Sequence, residues 1–426
     1  MSVVHAADNV EAIRAVVTAQ HQGGLVARGL ARSYGDCCLI DGGRVLDMTR
    51  LSRILDVDVE ARAVTCEAGV SLRQLSAALE PLGMALPVYP GTGFVTVGGA
   101  IANDVHGKEQ HVAGTFGHHV EWVDLVTANG QLQRVSSAQH PAFFRATVGG
   151  LGLTGIIVAA RLRVPALVGT SLEVREYRTR DLEATAHMLE THAATVPSMV
   201  AWVDLMTRSA GRGVVELAQP VPGPLEAAPP RREAMLPDVF PDFAINRWSM
   251  SAFNALYFNR IPRLGRARVL HRRRALFPLD ALGEWHRAYG RRGLFQFQCC
   301  MPTAVAVPVF ERIRSELRRA AIGSTLAVMK WVGKTGPGYL SFTRPGLSLA
   351  LDFPGTAEAE SLIVRLYDIV LEENGTVYLA KDACLKAEQY RAMFAEARSF
   401  ANVLGELDPE HRLRSDMSRR LAVHSA

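Results

Sequence analysis

Three glycine-rich segments fall within the first 165 residues, and each lets the backbone come close to a flat ligand or to a neighbouring element. The first is Arg28-Gly29-Leu30-Ala31-Arg32-Ser33-Tyr34-Gly35-Asp36, directly after the strand-like Leu25-Val26-Ala27. Gly29 and Gly35 allow N–H groups to turn inward, which binds phosphate without needing charge. Arg28 and Arg32 can add charge to a pyrophosphate site. A plain surface turn with a solvated arginine pair is the competing reading. The second segment is Pro90-Gly91-Thr92-Gly93, followed by Thr96-Val97-Gly98-Gly99-Ala100-Ile101-Ala102-Asn103-Asp104. Small residues with hydroxyls at Thr92 and Thr96 suit close approach to a dinucleotide, or else a packing seam between helix and sheet. Two such segments in one domain argue for a dinucleotide lying across both. The third, Gly149-Gly150-Leu151-Gly152-Leu153-Thr154-Gly155, contains Gly-x-Gly-x-x-Gly. That pattern signals a nicotinamide dinucleotide only where it follows a strand and opens a helix. Here a helical stretch precedes it and a strand follows, so a backbone-lined wall against a cofactor is the better reading.

The remaining signals bound the class. A chain of 426 residues is too long for one core, so two domains are expected. Apolar residues at 48% and charged residues at 21% exclude wholesale disorder. A net charge of +5 is mild, below the level expected for nucleic-acid binding, and leaves anionic substrates and membrane surfaces open. Six cysteines, including the neighbours Cys37 and Cys38 and the neighbours Cys299 and Cys300, make a poor disulfide framework and read as buried free thiols in a reducing compartment. The first 20 residues lack a signal-peptide h-region, and no apolar run is long enough to span a bilayer. A cytoplasmic protein is expected, one that meets a membrane, if at all, at its surface; periplasmic residence stays open.

Along the chain, residues 8–20 read as a helix capped by Asp8, and residues 53–58 and 63–67 as paired strands. Residues 71–80 read as a helix capped by Ser71 and stopped by Pro81. Asn129-Gly130 predicts a hairpin between 120–128 and 131–135, and residues 156–164 read as a buried strand. Beyond residue 166 come a Pro-rich connection at 220–230 and a basic segment from Arg260 to Arg274. Strands at 294–300, 327–332 and 348–353 follow, with helices at 307–320 and 357–374. This mixed order predicts an α+β domain on a largely antiparallel sheet flanked by helices. The basic segment suits a phosphate or an anionic membrane surface, against a solvated helix face as the plainer reading.

Several side chains are chemical candidates. His106-Gly107-Lys108 follows the second segment and can orient or polarise a hydroxyl, although a histidine in a loop is more often structural. Irregular spacing with His111, His118 and His119, and the lack of carboxylates, argue against a metal site. Lys381 ends the apolar run Val377-Tyr378-Leu379-Ala380 and is costly to bury without an anionic partner. Near a flavin it could face the edge where negative charge builds on reduction. Gln296 and Gln298 alternate with Phe295 and Phe297, so both amides lie on one sheet face and suit sugar hydroxyls. Lys330 is an isolated charge in an apolar strand, with a solvent-facing edge strand as the alternative.

Taken together, these runs resemble the FAD-linked oxidases of the vanillyl-alcohol-oxidase superfamily, with its PCMH-type FAD-binding fold. The three glycine segments and His106-Gly107-Lys108 carry the resemblance, with Ala146-Thr147-Val148-Gly149-Gly150, Leu236-Pro237-Asp238-Val239-Phe240-Pro241, Gly283-Glu284-Trp285, Asp352-Phe353-Pro354, Ala380-Lys381-Asp382 and Ser415-Asp416-Met417. They run nearly end to end, and within the superfamily they are most similar to the branch that oxidises decaprenylphosphoryl ribose. The resemblance implies a FAD-binding domain at 1–165, a substrate domain at 166–375, and a segment at 376–426 returning to the first. It implies FAD held by residues 28–36, by Gly91, Thr92, Thr96, Val97, Gly98 and Gly99, by Asn103, Asp104, Val105 and His106, and by Ile157 and Tyr378. Many relatives attach FAD through a histidine; Arg32 stands at that position here, which implies non-covalent FAD. By the same resemblance Lys381, His106 and Tyr34 are catalytic, and Lys108, Trp202, Gln296, Gln298, Lys330, Ser348 and Ala350 line the substrate pocket. Ser348 and Ala350 stand where an asparagine and a cysteine are expected, and Leu276 where a lid tyrosine is expected. These substrate-side departures leave the lipid carrier open. The implied reaction oxidises a ribose 2′-hydroxyl of a glycolipid or ribosyl phosphate to a ketone, and a nicotinamide-dependent reductase completes an epimerisation in cell-wall arabinose synthesis. An alditol or sugar-lactone oxidase and a non-catalytic flavin- or nucleotide-binding protein are the alternatives.

Overall fold

Short strands and tight turns in the first 165 residues build two sheets. The structure, a computed structural model, describes residues 2–19, 23–206, 211–226, 234–235, 247–283, 285–320, 322, 324 and 326–425. The run 236–241, Glu284 and the end of the Pro-rich connection, 227–230, lie outside the described residues. Strands β1 (Val3–Ala6), β2 (Leu25–Arg28) and β3 (Arg44–Asp47) form a parallel sheet in the order β1-β3-β2. An antiparallel sheet holds β4 (Ile54–Asp58), β5 (Ala63–Glu67), β6 (Val120–Val126), β7 (Leu132–Ser136) and β8 (Ile156–Arg163) in the order β4-β5-β8-β6-β7. The expected hairpin joins β6 to β7, with Gly130 at φ 82°, a conformation glycine adopts without strain. Ser71 caps the helix Leu72–Leu79 in a capping box with Gln74. The first helix, Val10–Thr18, is capped by Asn9 and not by Asp8. The Asn9 side chain reaches the amide of Ala12, one residue beyond the reach of Asp8, which accepts from Asn9 instead.

The second half is organised by one eight-stranded antiparallel sheet. Its strands are β9 (Ser171–Thr179), β10 (Ser198–Val203), β11 (Gly213–Val221), β13 (Arg266–His271), β15 (Leu294–Met301), β16 (Leu326–Val332), β17 (Gly346–Pro354) and β18 (Thr376–Val377). They lie in the order β13-β9-β11-β10-β16-β17-β15-β18. A short parallel pair, β12 (Ala234–Met235) and β14 (Leu282–Gly283), stands apart. The helices Thr303–Ala320 and Ala357–Glu372 cover one face, burying Phe310, Ile313, Leu362 and Leu366 against Phe297, Met329, Leu349 and Leu351. The first of these begins at Thr303, earlier than its expected start at 307, and carries Pro308 inside. Burial of Ala306 and Phe310 on the sheet outweighs the one hydrogen bond that Pro308 cannot donate.

The basic segment is largely not a helix face. Residues 266–271 are the edge strand β13, and Arg272–Leu276 is a single helical turn or so. Arg260, Arg266 and Arg268 converge on the fully buried carboxylate of Glu176 at 3.1, 2.7 and 2.9 Å. Glu176→Gln should lower the unfolding free energy by roughly 2–3 kcal/mol in a denaturant titration, because three cations then lose their shared counter-charge while an amide oxygen still accepts. An unchanged midpoint would remove that cluster from the account of the edge.

The C-terminal segment returns to the first sheet. Leu413 forms a parallel bridge with Leu25, and the amide of Leu25 donates to Arg412 O. Arg420 donates to both oxygens of Asp36, to Asp382 Oδ2 and to Leu385 O, joining the first glycine loop to the stretch that carries Lys381.

Candidate functional site

Sheet register gathers most of the substrate-side candidates. Opposed residues in an antiparallel pair share a face, and so do residues two apart. Lys330 opposes Ser348, Val328 opposes Ala350, and Trp202 opposes Val328. Gln298 opposes Ala350, and Gln296 opposes Asp352. Trp202, Lys330, Ser348, Ala350, Gln296 and Gln298 therefore lie on one face, opposite the helices. β16 is central in the sheet, so Lys330 is not a solvent-facing lysine on an edge strand. Trp202 sits further along this face, its ring 4.8 Å from Tyr257.

His106 meets that face from the first half of the chain. The Gln298 amide donates to its Nε2 at 3.0 Å and to Ser348 Oγ at 3.2 Å. Read from that bond, Nε2 accepts and the proton rests on Nδ1. Nδ1 is buried and has no hydrogen-bond partner among the described residues. Burial, then the nearby Lys330 and Lys381 charges, hold the imidazole well below its usual pKa, so it is neutral. Its ring packs against Phe342 and Tyr378.

Lys381 does not end a strand. β18 stops at Val377, and Leu379–Lys381 is a single 3-10 turn, because the Lys381 amide closes back onto Tyr378 O. The ammonium lies 3.7 Å from the centroid of the Tyr34 ring, and the Tyr34 amide donates to Ala380 O. Burial lowers the Lys381 pKa to about 7, and Asp352 opposes that shift. Burial likewise lowers Lys330 to about 8. Neither lysine makes an ion pair among the described residues.

Asp352 is a member of the face that sequence reasoning missed. It lies two residues beyond Ala350, accepts from Gln296 Nε2 and, at 3.4 Å, from the Tyr289 hydroxyl. Burial raises its pKa to about 6. The period-two run Ser348-x-Ala350-x-Asp352 was a sufficient signal.

The cofactor-side candidates divide into two groups. Among the described residues, the amides of Gly29, Leu30, Ala31, Arg32 and Ser33 donate to no protein acceptor, so the loop presents a run of free N–H groups. That array suits a pyrophosphate. Arg28 closes β2 at its head, and Arg32 extends over Phe94 at 5.8 Å. A side chain on Gly29 would overlap Thr96 Oγ1, and one on Gly35 would overlap the Asp382 carbonyl, so the two glycines are where three segments meet. A cleft of about 470 Å³ adjoins the loop at Leu30, lined also by Arg73, Phe94 and Arg273. It holds none of the catalytic candidates.

Other candidates are engaged by the protein itself. The amides of Val97 and Gly98 donate to Val70 O and Ala68 O, and that of Gly99 donates to Thr96 Oγ1. A methyl on Gly98 would press on Ala68, so this stretch is a packing seam first. The Thr92 hydroxyl donates to Asp280 at 2.5 Å, and Gly91 O accepts from Leu279, which ties this loop to the second half of the chain. Asp104, at φ 42°, holds Ser341 Oγ at 2.5 Å and the Gly117 amide at 3.0 Å. Its carboxylate is thus a structural anchor, not a free ligand for cofactor. Val105 and Ile157 contribute apolar burial. Asn103 O accepts from the Tyr378 hydroxyl at 2.9 Å, bringing those two candidates together. Lys108 pairs with Glu216 at 2.7 Å and donates to Ala275 O, so its charge is already matched. His111, His118 and His119 each bond a nearby oxygen: Val196 O, Thr115 Oγ1 and Ala113 O. The third glycine segment follows the helix Pro141–Thr147 and precedes β8, the reverse of the nicotinamide arrangement.

The residues fit FAD: among the described residues, an unpaired amide run, a buried orphan imidazole N–H, and two partly buried lysines that make no ion pair all call for an anionic, hydrogen-bonding group. Residues 1–136 match a family described as FAD binding domain. The chain is 37% identical over 443 residues to decaprenylphosphoryl-beta-D-ribose oxidase of Mycolicibacterium smegmatis, covering 99% of this chain and 95% of that protein. It is 31% identical over 383 residues to an uncharacterized protein of Streptomyces coelicolor, covering 83% and 100%. Similarity to L-gulonolactone oxidase of Bos taurus is 31% over 158 residues, or 36% of this chain and 35% of that protein. An α+β chain with this loop, this match and this end-to-end identity belongs to the family of PCMH-type, FAD-dependent oxidoreductases that includes decaprenylphosphoryl-beta-D-ribose oxidase.

Proposed function

We propose that this enzyme oxidises the 2′-hydroxyl of a polyprenyl-phosphoryl ribose to a ketone, the first half of a ribose-to-arabinose epimerisation that a nicotinamide-dependent reductase completes. The observation that carries the reading is the polar face of Gln296, Gln298, Lys330 and Ser348, closed by His106 and Lys381. Amides and hydroxyls suit sugar hydroxyls, and the partly buried ammonium of Lys330, without an ion pair among the described residues, suits a phosphate. When bound, FAD would supply the two-electron acceptor for the hydride that leaves the oxidised carbon. The amides of residues 29–33 and the Arg28 and Arg32 side chains would hold the dinucleotide. Arg32 has no nucleophilic lone pair to offer, so attachment is non-covalent. Lys381 supplies positive charge where negative charge develops, and His106 Nδ1–H holds an acceptor in place. Residues 1–165 with 376–426 form the cofactor domain and residues 166–375 the substrate domain, a division supported by the Arg420 bridge to Asp36.

Among the described residues, Glu176 and Glu216 on this face are held by arginines and by Lys108, which leaves Asp352 as the carboxylate that can accept the hydroxyl proton. Since its pKa is raised to about 6, the carboxylate is available above that pH and lost below it. Asp352→Asn should lower kcat/KM and erase an ascending limb near pH 6 while flavin content stays constant. A limb that persists in the variant would dismiss Asp352 as acceptor. The substrate itself is tested by an anaerobic screen of prenyl-phosphoryl riboses, alditols and sugar lactones that follows bleaching of the flavin absorbance. Bleaching by the riboses alone is expected; bleaching by alditols or lactones alone would replace this reading.

A further inference from the structure

The helix Arg247–Asn259 lies over the sheet face that carries Trp202, with the Tyr257 ring tilted against that ring and Phe258 beneath the guanidinium groups of Arg178 and Arg212. Its inward residues are therefore accounted for. Its outward residues are not: Phe253 and Leu256 are 49% and 73% exposed. The chain then turns through residues 262–265, closed by the Gly265 amide on Pro262 O, and holds Leu264 97% exposed at the tip. A leucine so fully presented loses the benefit of burial unless something covers it. Arg260 and Arg263 flank this tip. Residues 247–279 contain eight arginines and no aspartate or glutamate. Arg263 has no ion-pair or hydrogen-bond partner among the described residues, and Arg260, Arg266 and Arg268 share a single carboxylate.

We infer that Phe253, Leu256, Arg260, Arg263 and Leu264 form a docking face for the anionic surface of a lipid bilayer. The charge complementarity selects this occupant: Arg263, and an excess of arginine over the one Glu176 carboxylate that Arg260, Arg266 and Arg268 share, surround exposed apolar side chains and suit lipid phosphates with acyl chains just beneath. The helix ends against Trp202, so a bilayer seated here lies at the mouth of the face bearing Lys330 and Gln298. The assignment does not depend on which substrate the enzyme oxidises.

The test is flotation of the FAD-loaded enzyme with phosphatidylcholine vesicles, with and without phosphatidylglycerol. Binding is expected only with phosphatidylglycerol, weakening as salt rises. Arg263→Glu and Leu264→Ser should each lower that partitioning roughly tenfold, with flavin content and sedimentation as a folded monomer or oligomer unchanged. Absence of binding by the unaltered enzyme overturns the proposal, as does equal partitioning of both variants. A self-associated enzyme that Leu264→Ser dissociates, without lipid dependence, overturns it in favour of a second copy as occupant.

Discussion

Lys381→Ala is expected to reduce turnover by about two to three orders of magnitude while FAD remains bound, because a charge aimed at developing negative charge acts mainly in the transition state. The argument starts from cost. Desolvation disfavours this ammonium; Asp352 offsets that only in part, and no ion pair forms with it among the described residues. The cation–π contact with Tyr34 holds its position but does not neutralise it. Such a group persists where a ligand brings the missing charge. The sign with pH follows. A pKa lowered to about 7 means that the cation is present below that value and lost above it, so kcat/KM should fall as pH rises through about 7. Lys381→Arg should erase that descending limb, since a guanidinium stays charged. Turnover unchanged in the alanine variant, measured under saturating substrate, removes the lysine from the chemistry.

Arg420→Ala should lower the unfolding free energy by roughly 4–5 kcal/mol and release FAD on purification. Two carboxylates, Asp36 and Asp382, depend on this guanidinium, and Asp382 is buried. Losing Arg420 strands a buried anion and frees two segments that it holds together. One is the amide loop at 29–36; the other carries Lys381. Asp382 also accepts from the Tyr367 hydroxyl and from two backbone amides, so the remaining bonds hold the turn itself but not its position against the loop. Thermal melts with flavin fluorescence read both effects at once. Release of flavin with no loss of stability would mean that Arg420 touches the cofactor and does not clamp the domain.

Local signals were legible. Asn129-Gly130 specified a hairpin because its turn needs positive φ, and Ser71 specified a helix start because its hydroxyl reaches the third amide. The alternation of Gln296 and Gln298 placed both amides on one face before any partner strand was known. What escaped was non-local. No nearby residue signals that the side chains of Thr92 and Asp104 bond Asp280 and Ser341, 188 and 237 residues away. Lys108 read as a pocket lysine until Glu216 met it from β11. Arg420 looked like one basic residue among many, and its partner Asp36 lies 384 residues earlier. Lys381 read as the end of a strand and lies in a 3-10 turn, because apolar runs do not distinguish a strand from such a turn.

The most direct measurement uses prenyl-phosphoryl ribose carrying deuterium at C2′, mixed anaerobically with the FAD-loaded enzyme. Breaking the C2′–H bond in the flavin-reducing step predicts bleaching that is several-fold slower with the deuterated sugar. Bleaching at the same rate with either isotope, or none with this sugar, would contradict hydride removal at that carbon.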